Sequence, residues 1–173
     1  IPPRGFLALE IGCVVTLLPE REMRERFADR RFGYQVISFL DYSQNPYRAE
    51  SDSIIRKWNL GVTENDRGEY RKGKLVDPAH PVVFYIDTCC PAEFVPYIKE
   101  GVLAWNAAFE KAGFKNALRV KMADSKTVLE EQRAVIAYDL HEAGIRTGYT
   151  FHPKTGEILS CRVNIGHGFL PKE

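Results

Sequence analysis

A strand followed by an amphipathic helix, within residues 81–113, constrains the fold of this chain more than any other feature of its sequence. The stretch PVVFYID (81–87) is almost continuously apolar, which is typical of a strand buried on both faces. Apolar residues then recur at helical spacing: Phe94, Ile98, Val102, Trp105, Phe109 and Ala112. Because Pro91 suits a first helical turn and Gly113 suits a C-terminal cap, we predict one long helix that packs against a sheet.

Further strands follow this unit along the chain. Two of them are ALRVKMA (117–123) and RAVIAYD (133–139). GYTF, HPKTGE and ILSCRVNI, in residues 148–165, are typical of a β-hairpin with Pro153 and Gly156 in its turn. Beyond residue 81 the sequence therefore has an α/β pattern.

The first part of the chain has a different pattern. Three stretches there are typical of strands: FLALEIGCVVTLL (6–18), YQVISFLDY (34–42) and SIIRKWNL (53–60). Residues 61–81 lose this periodicity and end in two X-Pro pairs, which is typical of a connection. We therefore predict a strand-rich element over residues 1–60 and a linker over residues 61–81.

Charge and hydropathy exclude two classes of partner. The formal net charge is +1, with 27% charged residues of both signs, so the sequence predicts no binding of nucleic acid. No apolar run approaches the roughly 18 residues that a membrane span needs, so we predict no span.

The four cysteines do not form a recognisable framework. Cys13 and Cys161 lie on the apolar side of strand-like stretches, which predicts buried free thiols. Cys89 and Cys90 are adjacent, and their spacing fits neither a zinc ribbon nor a C-x-x-C motif. Cys90 is a candidate reactive thiol at the start of the predicted helix, but position 93 is Glu, so a packing role is the preferred interpretation.

The histidines are candidate metal ligands. His141 and Glu142 begin an H-E-x-x-H pattern, but position 145 is Ile, which predicts a loop and not a zinc helix. His141, His152 and His167 would bind zinc only if the hairpin folded back over the preceding loop, and no spacing supports this. The sequence predicts no metal ligand and no catalytic residue.

Several stretches together resemble a known family. They are LLPEREMRERFADRRFGYQVISFLDYS (17–43), IIRKWNL (54–60), PVVFYIDTCCPAEFVPYIKEGVLAWNAAFEKAGFKNALRV (81–120) and HPKTGEILSCRVNIGH (152–167). They resemble the front part of the catalytic region of large bacterial zinc-dependent metalloproteases of metzincin type. In that family the zinc ligands lie on an H-E-x-x-H-x-x-G-x-x-H segment further along the chain, and no such motif occurs in residues 1–173.

The resemblance implies a fold and a function. It implies an α+β (mixed α/β) fold in which residues 82–173 form the N-terminal part of a metzincin-like catalytic domain, a twisted, mostly mixed sheet backed by one long helix. The chain would form the upper wall of a peptidase cleft and would be inactive alone. Zinc would be a cofactor of the full-length parent and not of this chain. The partners would be a peptide or protein substrate and the downstream part of the same polypeptide, and the location would be secreted or on the surface of a bacterium.

The resemblance also implies a substrate-binding strand. TGEIL (155–159) resembles the strand that runs along the rim of the cleft and pairs with the substrate backbone. If the last strand is an edge, Ser160, Arg162 and Asn164 are the predicted substrate-binding residues. The alternative is that another strand of the complete protein covers this edge. The alternative function is a noncatalytic α/β module that binds a peptide or a partner.

Overall fold

A computed structural model describes residues 13, 15–43, 45, 47–124 and 134–169. Seven strands in this part of the chain form a two-stranded and a five-stranded sheet. The fold class is α+β with a mixed sheet, as predicted. Most of the strand predicted at 6–18 lies outside the described residues, and residues 15–18 have no regular secondary structure. Among the described residues, no helix is long and apolar enough to cross a membrane.

The five-stranded sheet contains all the strands predicted beyond residue 81. They are β3 (Val82–Ile86), β4 (Leu118–Met122), β5 (Ala134–Asp139), β6 (Ile145–Phe151) and β7 (Ile158–Gly166). Their order is β4-β3-β5-β7-β6. The strands β4, β3, β5 and β7 are parallel to one another, and β6 runs antiparallel to β7. The described sheet therefore has β4 at one edge and β6 at the other.

The predicted helix is present, but it is divided into two segments. They are α2 (Val95–Ala104) and α3 (Asn106–Lys111). At the junction, the backbone N–H of Trp105 donates to the carbonyl of Val102 at 3.3 Å, an i→i−3 bond that tightens the turn. The next residue, Asn106, uses its side-chain amide to bond the backbone of Leu118 in β4. The second segment is thereby fixed to the edge of the sheet.

The core lies between these helices and one face of the sheet. Four buried residues from neighbouring strands form its centre: Val82, Leu118, Ala134 and Cys161. Val102 and Phe109 of the helices pack against it, and so does Trp58 from the first part of the chain. Cys161 is buried as predicted, but Cys13 is exposed, so its predicted burial is wrong. Cys13 does not lie in a strand of the described structure, and nothing there buries it.

The first part of the chain packs directly against the larger sheet. β1 (Val36–Asp41) and β2 (Glu50–Ile55) form an antiparallel pair. Immediately after β2, the N–H of Lys57 donates to the carbonyl of Gly156 at 2.9 Å, and the carbonyl of Lys57 accepts from Ile158 at 2.9 Å. These bonds join the segment after β2 to the turn that precedes β7.

Residues 61–81, predicted as a linker, have structure of their own. They contain a short helix, α1 (Arg67–Arg71). Val76 is buried, and its backbone exchanges hydrogen bonds with Gly113 at 3.1 Å and Lys115 at 3.0 Å. The segment therefore packs beside the end of α3.

Candidate functional site

The His141-Glu142 pair lies in the loop between β5 and β6, as predicted. The backbone N–H of His141 donates to the Asp139 carboxylate at 2.9 Å, and the imidazole is exposed. Glu142 forms an ion pair with Arg146 at 3.1 Å. The local geometry is that of a turn fixed by its own side chains, and no zinc helix is present in it.

The three histidines considered as zinc ligands do not converge. His167 lies beside the carboxyl end of β5, where its Nδ1 is 2.6 Å from the Tyr138 hydroxyl. His152 is 1% exposed, and its Nδ1 accepts from the backbone N–H of Lys154 at 3.2 Å. Because His141 and His152 lie at opposite ends of β6, they are separated by about 20 Å. The three histidines therefore do not form a zinc site. No group of three or more His, Cys, Asp or Glu side chains that could hold a metal ion occurs among the described residues.

Cys90 does not have the environment of a reactive thiol. It is 7% exposed, and burial raises its pKa, with a further rise from the negative charge of Asp87. The helix α2 begins only at Val95, so Cys90 does not lie at its N-terminus. Since a raised pKa lowers the thiolate fraction, the structure favours the packing role.

The three residues predicted to bind substrate lie on a strand that is not an edge. β7 pairs with β5 on one side and with β6 on the other, so both sides of its backbone have a partner. The prediction that β7 is an edge is wrong, because β6, the other strand of the hairpin, covers that side. Ser160, Arg162 and Asn164 share one face of the sheet, where Arg162 Nε donates to Asn164 Oδ1 at 3.0 Å. These side chains therefore project from a face of the sheet, next to backbone that is already paired on both sides.

The open edge is β6, the first strand of the same hairpin. In the part of the chain that the structure describes, β7 is its only strand partner. The N–H of Gly166 donates to the carbonyl of Gly144 at 2.8 Å, one position before the register pair Ile145 and Ile165. Because bonded pairs alternate in an antiparallel ladder, Ile145 and Thr147 direct their N–H and C=O groups away from β7.

The opposite edge of the sheet is partly blocked. The N–H of Val82 donates to the carbonyl of Ala117 at 2.8 Å, so the backbone groups of Leu118 point away from β3. There the Asn106 side chain accepts from the N–H of Leu118 at 2.8 Å and donates to its carbonyl at 3.0 Å. A second strand cannot use these two groups, so β6 is the better edge for strand addition.

An apolar groove of about 580 Å³ runs beside β6 on the helical face of the sheet. Its wall includes Phe84, Val102, Trp105, Ile136, Tyr149 and Val163. Trp105 remains 66% exposed at its margin. Tyr149 belongs both to the groove and to β6, so the open edge and the groove form one continuous candidate site.

Arg56 lies beside this site at one end. Its guanidinium carbon lies 6.0 Å from the ring centre of Tyr149 and 5.4 Å from that of Phe151. The cation is in a geometry that is favourable for both aromatic rings. Residues 145–148 of the edge are all exposed, and so is Thr150.

The comparisons with known proteins concern the other part of the chain. A family described as a domain of unknown function (DUF5117) matches residues 4–63. No curated protein and no solved structure matches the chain. Since residues 4–63 include β1 and β2 but exclude β6, the match assigns no function to the candidate site.

Proposed function

We propose that this chain is the front part of the catalytic region of a zinc-dependent metallopeptidase, and that β6 is the edge that pairs with an extended substrate. The observation that carries the proposal is the outer side of β6, which pairs with no strand among the described residues. Strand addition to such an edge supplies affinity through main-chain hydrogen bonds and specificity through alternate side chains. The edge is one strand further out than the sequence predicts.

The groove beside β6 supports the same proposal. Isolated apolar side chains are normal on a protein surface, but a continuous apolar groove marks a binding site or a surface that another segment covers. A peptide on β6 would lie along the margin of this groove, so its side chains on that face would lie near Tyr149, the groove residue that belongs to β6. We therefore expect extended substrates with an apolar side chain at one of these positions.

The described residues do not fit a zinc site, and no catalytic step is assigned to them. When bound in the parent enzyme, zinc would lower the pKa of a water molecule and polarise the scissile carbonyl. The role proposed for this chain is to hold the substrate extended and in register. Zinc ligands and the catalytic glutamate would come from a downstream H-E-x-x-H-x-x-G-x-x-H segment of the parent.

The first test concerns the complete protein. We expect its reading frame to encode that metal motif after residue 173, and the purified protein to contain zinc and to cleave peptides in a chelator-sensitive reaction. Residues 1–173 alone should show no such cleavage. Chelator-sensitive cleavage by residues 1–173, or a complete protein without the motif, would contradict the proposal.

Thr147→Pro is expected to weaken the binding of extended peptides about fivefold. Proline removes the outward N–H of Thr147, and one hydrogen bond contributes about 1 kcal/mol. Thr147→Val is the matched control, because it keeps this N–H while changing the side chain. Fluorescence anisotropy with labelled peptides measures both affinities, and urea denaturation checks that the proline is tolerated on the edge strand. Equal affinities of the two variants would exclude strand addition at this position.

A noncatalytic α/β module that binds a peptide or a partner is the second candidate, and it uses the same edge. The two functions differ in what the complete protein does with a bound peptide. Binding that is sensitive to Thr147→Pro, without chelator-sensitive cleavage by the complete protein, would favour the module.

A further inference from the structure

Arg162 of β7 lies on the face of the large sheet that is opposite to the helices. Of its neighbours in the chain, Cys161 belongs to the core cluster and Val163 packs against that cluster. Because successive side chains of a strand point to opposite faces, Arg162 projects from the other face, where it is exposed. The β6-β7 hairpin carries polar side chains on this face: Arg146, Thr150, Ser160, Arg162 and Asn164.

Gly148 of β6 lies directly opposite Arg162 in the strand register, between Arg162 and the open edge. An added Cβ at Gly148 would meet no atom within 4 Å, so the space above this position is open. Two strand spacings, about 10 Å, would separate Arg162 from a residue of an added strand opposite Gly148. An arginine and a glutamate side chain together span this distance. Arg162 can therefore reach across β6 to a peptide at the edge.

The charge of Arg162 is not balanced by an acid in the described structure. Its Nε donates to the neutral Asn164 Oδ1 at 3.0 Å, which leaves the two Nη groups for another acceptor. No ion pair within 4.0 Å involves Arg162 among the described residues. Arg146, on the same face, is instead paired with Glu142 at 3.1 Å. Of these two arginines, Arg162 is therefore the one with capacity for a further carboxylate.

We propose that Arg162 selects a glutamate side chain on an extended peptide added to β6, at the peptide position opposite Gly148. This inference rests on the proposed peptide site and adds the chemistry of one substrate position. The guanidinium group would donate N–H bonds to the carboxylate, while Asn164 holds its Nε. Because side chains alternate along a strand, the acidic position and the apolar positions that face the groove are out of phase.

The test is a positional scan of extended peptides, measured by fluorescence anisotropy with the full chain. Each position in turn carries glutamate or glutamine, so that the two peptides differ in charge and hardly in size. At one position we expect glutamate to bind about three- to fivefold more tightly, as for an exposed charge-assisted pair. The two adjacent positions should show no such preference. High salt should reduce the preference, because exposed charges are screened.

Arg162→Gln should abolish the glutamate preference and leave the affinity for the glutamine peptide unchanged. Arg119→Gln is the matched control, since Arg119 is exposed on the same face of the sheet but on β4, at the other edge. Arg162→Glu should reverse the preference, so that a peptide with lysine at this position binds best. A merely structural role of Arg162 would not produce this reversal.

Gly148→Val gives an independent test that retains Arg162. Valine is favourable in a strand, and its side chain would stand between Arg162 and the added peptide. Strand addition should persist, and the glutamate preference should be lost. This variant decides the question if the Arg162 variants do not fold.

The outcomes separate this inference from the proposed function. If Thr147→Pro weakens peptide binding but the glutamate and glutamine peptides bind the wild type equally, the inference is overturned and the peptide site stands. A glutamate preference that persists in Arg162→Gln or in Gly148→Val would overturn it as well. If no peptide binding is sensitive to Thr147→Pro, the proposed peptide site and this inference both fail.

Discussion

Gly156→Ala is expected to lower the free energy of unfolding by about 3 kcal/mol, with about 1 to 2 kcal/mol from left-handed backbone and the rest from steric overlap. Gly156 has φ of +71°, and an added Cβ would lie 2.3 Å from the carbonyl oxygen of Ile55. The two backbone segments, at Ile55 and at Gly156, cannot easily separate, because the Gly156 carbonyl accepts from the N–H of Lys57 at 2.9 Å. The substitution therefore acts on the junction between the first part of the chain and the large sheet.

Urea denaturation measures this effect, and Gly148→Ala is its control. Gly148 lies on exposed β6, and an added Cβ there meets no atom within 4 Å. The free energy of unfolding of the Gly148→Ala variant should differ from that of the wild type by less than about 0.5 kcal/mol, as for substitutions at other exposed sites. Equal midpoints for the two variants would mean that the junction at Gly156 does not contribute to stability.

Asn106→Ala is expected to destabilise the protein by about 3 kcal/mol, because the N–H and C=O of Leu118 would each lose a partner. Leu118 is buried, so water does not readily replace the amide. Asn106→Asp should have an intermediate effect, since it keeps an acceptor for the N–H of Leu118 but loses the donor to its carbonyl. Thermal and urea unfolding measure the series.

Glu110→Ala, on the exposed side of the same short helix, is the control for this series and should change stability by less than about 0.5 kcal/mol. If Asn106→Ala unfolds at the same urea concentration as this control, the amide does not stabilise the edge of β4. Asn106→Ala should also make β4 a second edge for strand addition, because the outward N–H and C=O of Leu118 become unpaired.

The positions of the main elements could be read from local pattern. β3, β4 and β5 lie within the predicted stretches, and both helical segments lie within the predicted helix. The hairpin is where the sequence predicts it, but β6 begins at Ile145, three residues earlier than predicted, and β7 ends at Gly166, one residue later. Apolar periodicity reports which side of an element is buried, and that depends on residues close in sequence. The division of the helix could not be predicted, because Asn106 bonds Leu118, which lies 12 positions away.

The candidate sites depended on contacts between distant residues. Ser160, Arg162 and Asn164 were assigned to an edge, but β6 covers β7 on that side. A hairpin pattern specifies that two strands pair and does not specify which of them is outermost. The pairing of Asn59 with Glu157, 98 positions apart, had no signal in the local sequence.

The sequence by itself determined the α+β class, the strands and helical region beyond residue 81, and the absence of a complete zinc motif within residues 1–173. Only the tertiary structure decided that β6 is the open edge, that Asn106 blocks the other edge, and that Glu157 is buried with one oxygen unpaired. The physical reason is that backbone hydrogen bonding between strands is nearly independent of side-chain identity. The order of strands therefore follows from how the whole chain packs, and the open edges and buried charges follow from that order.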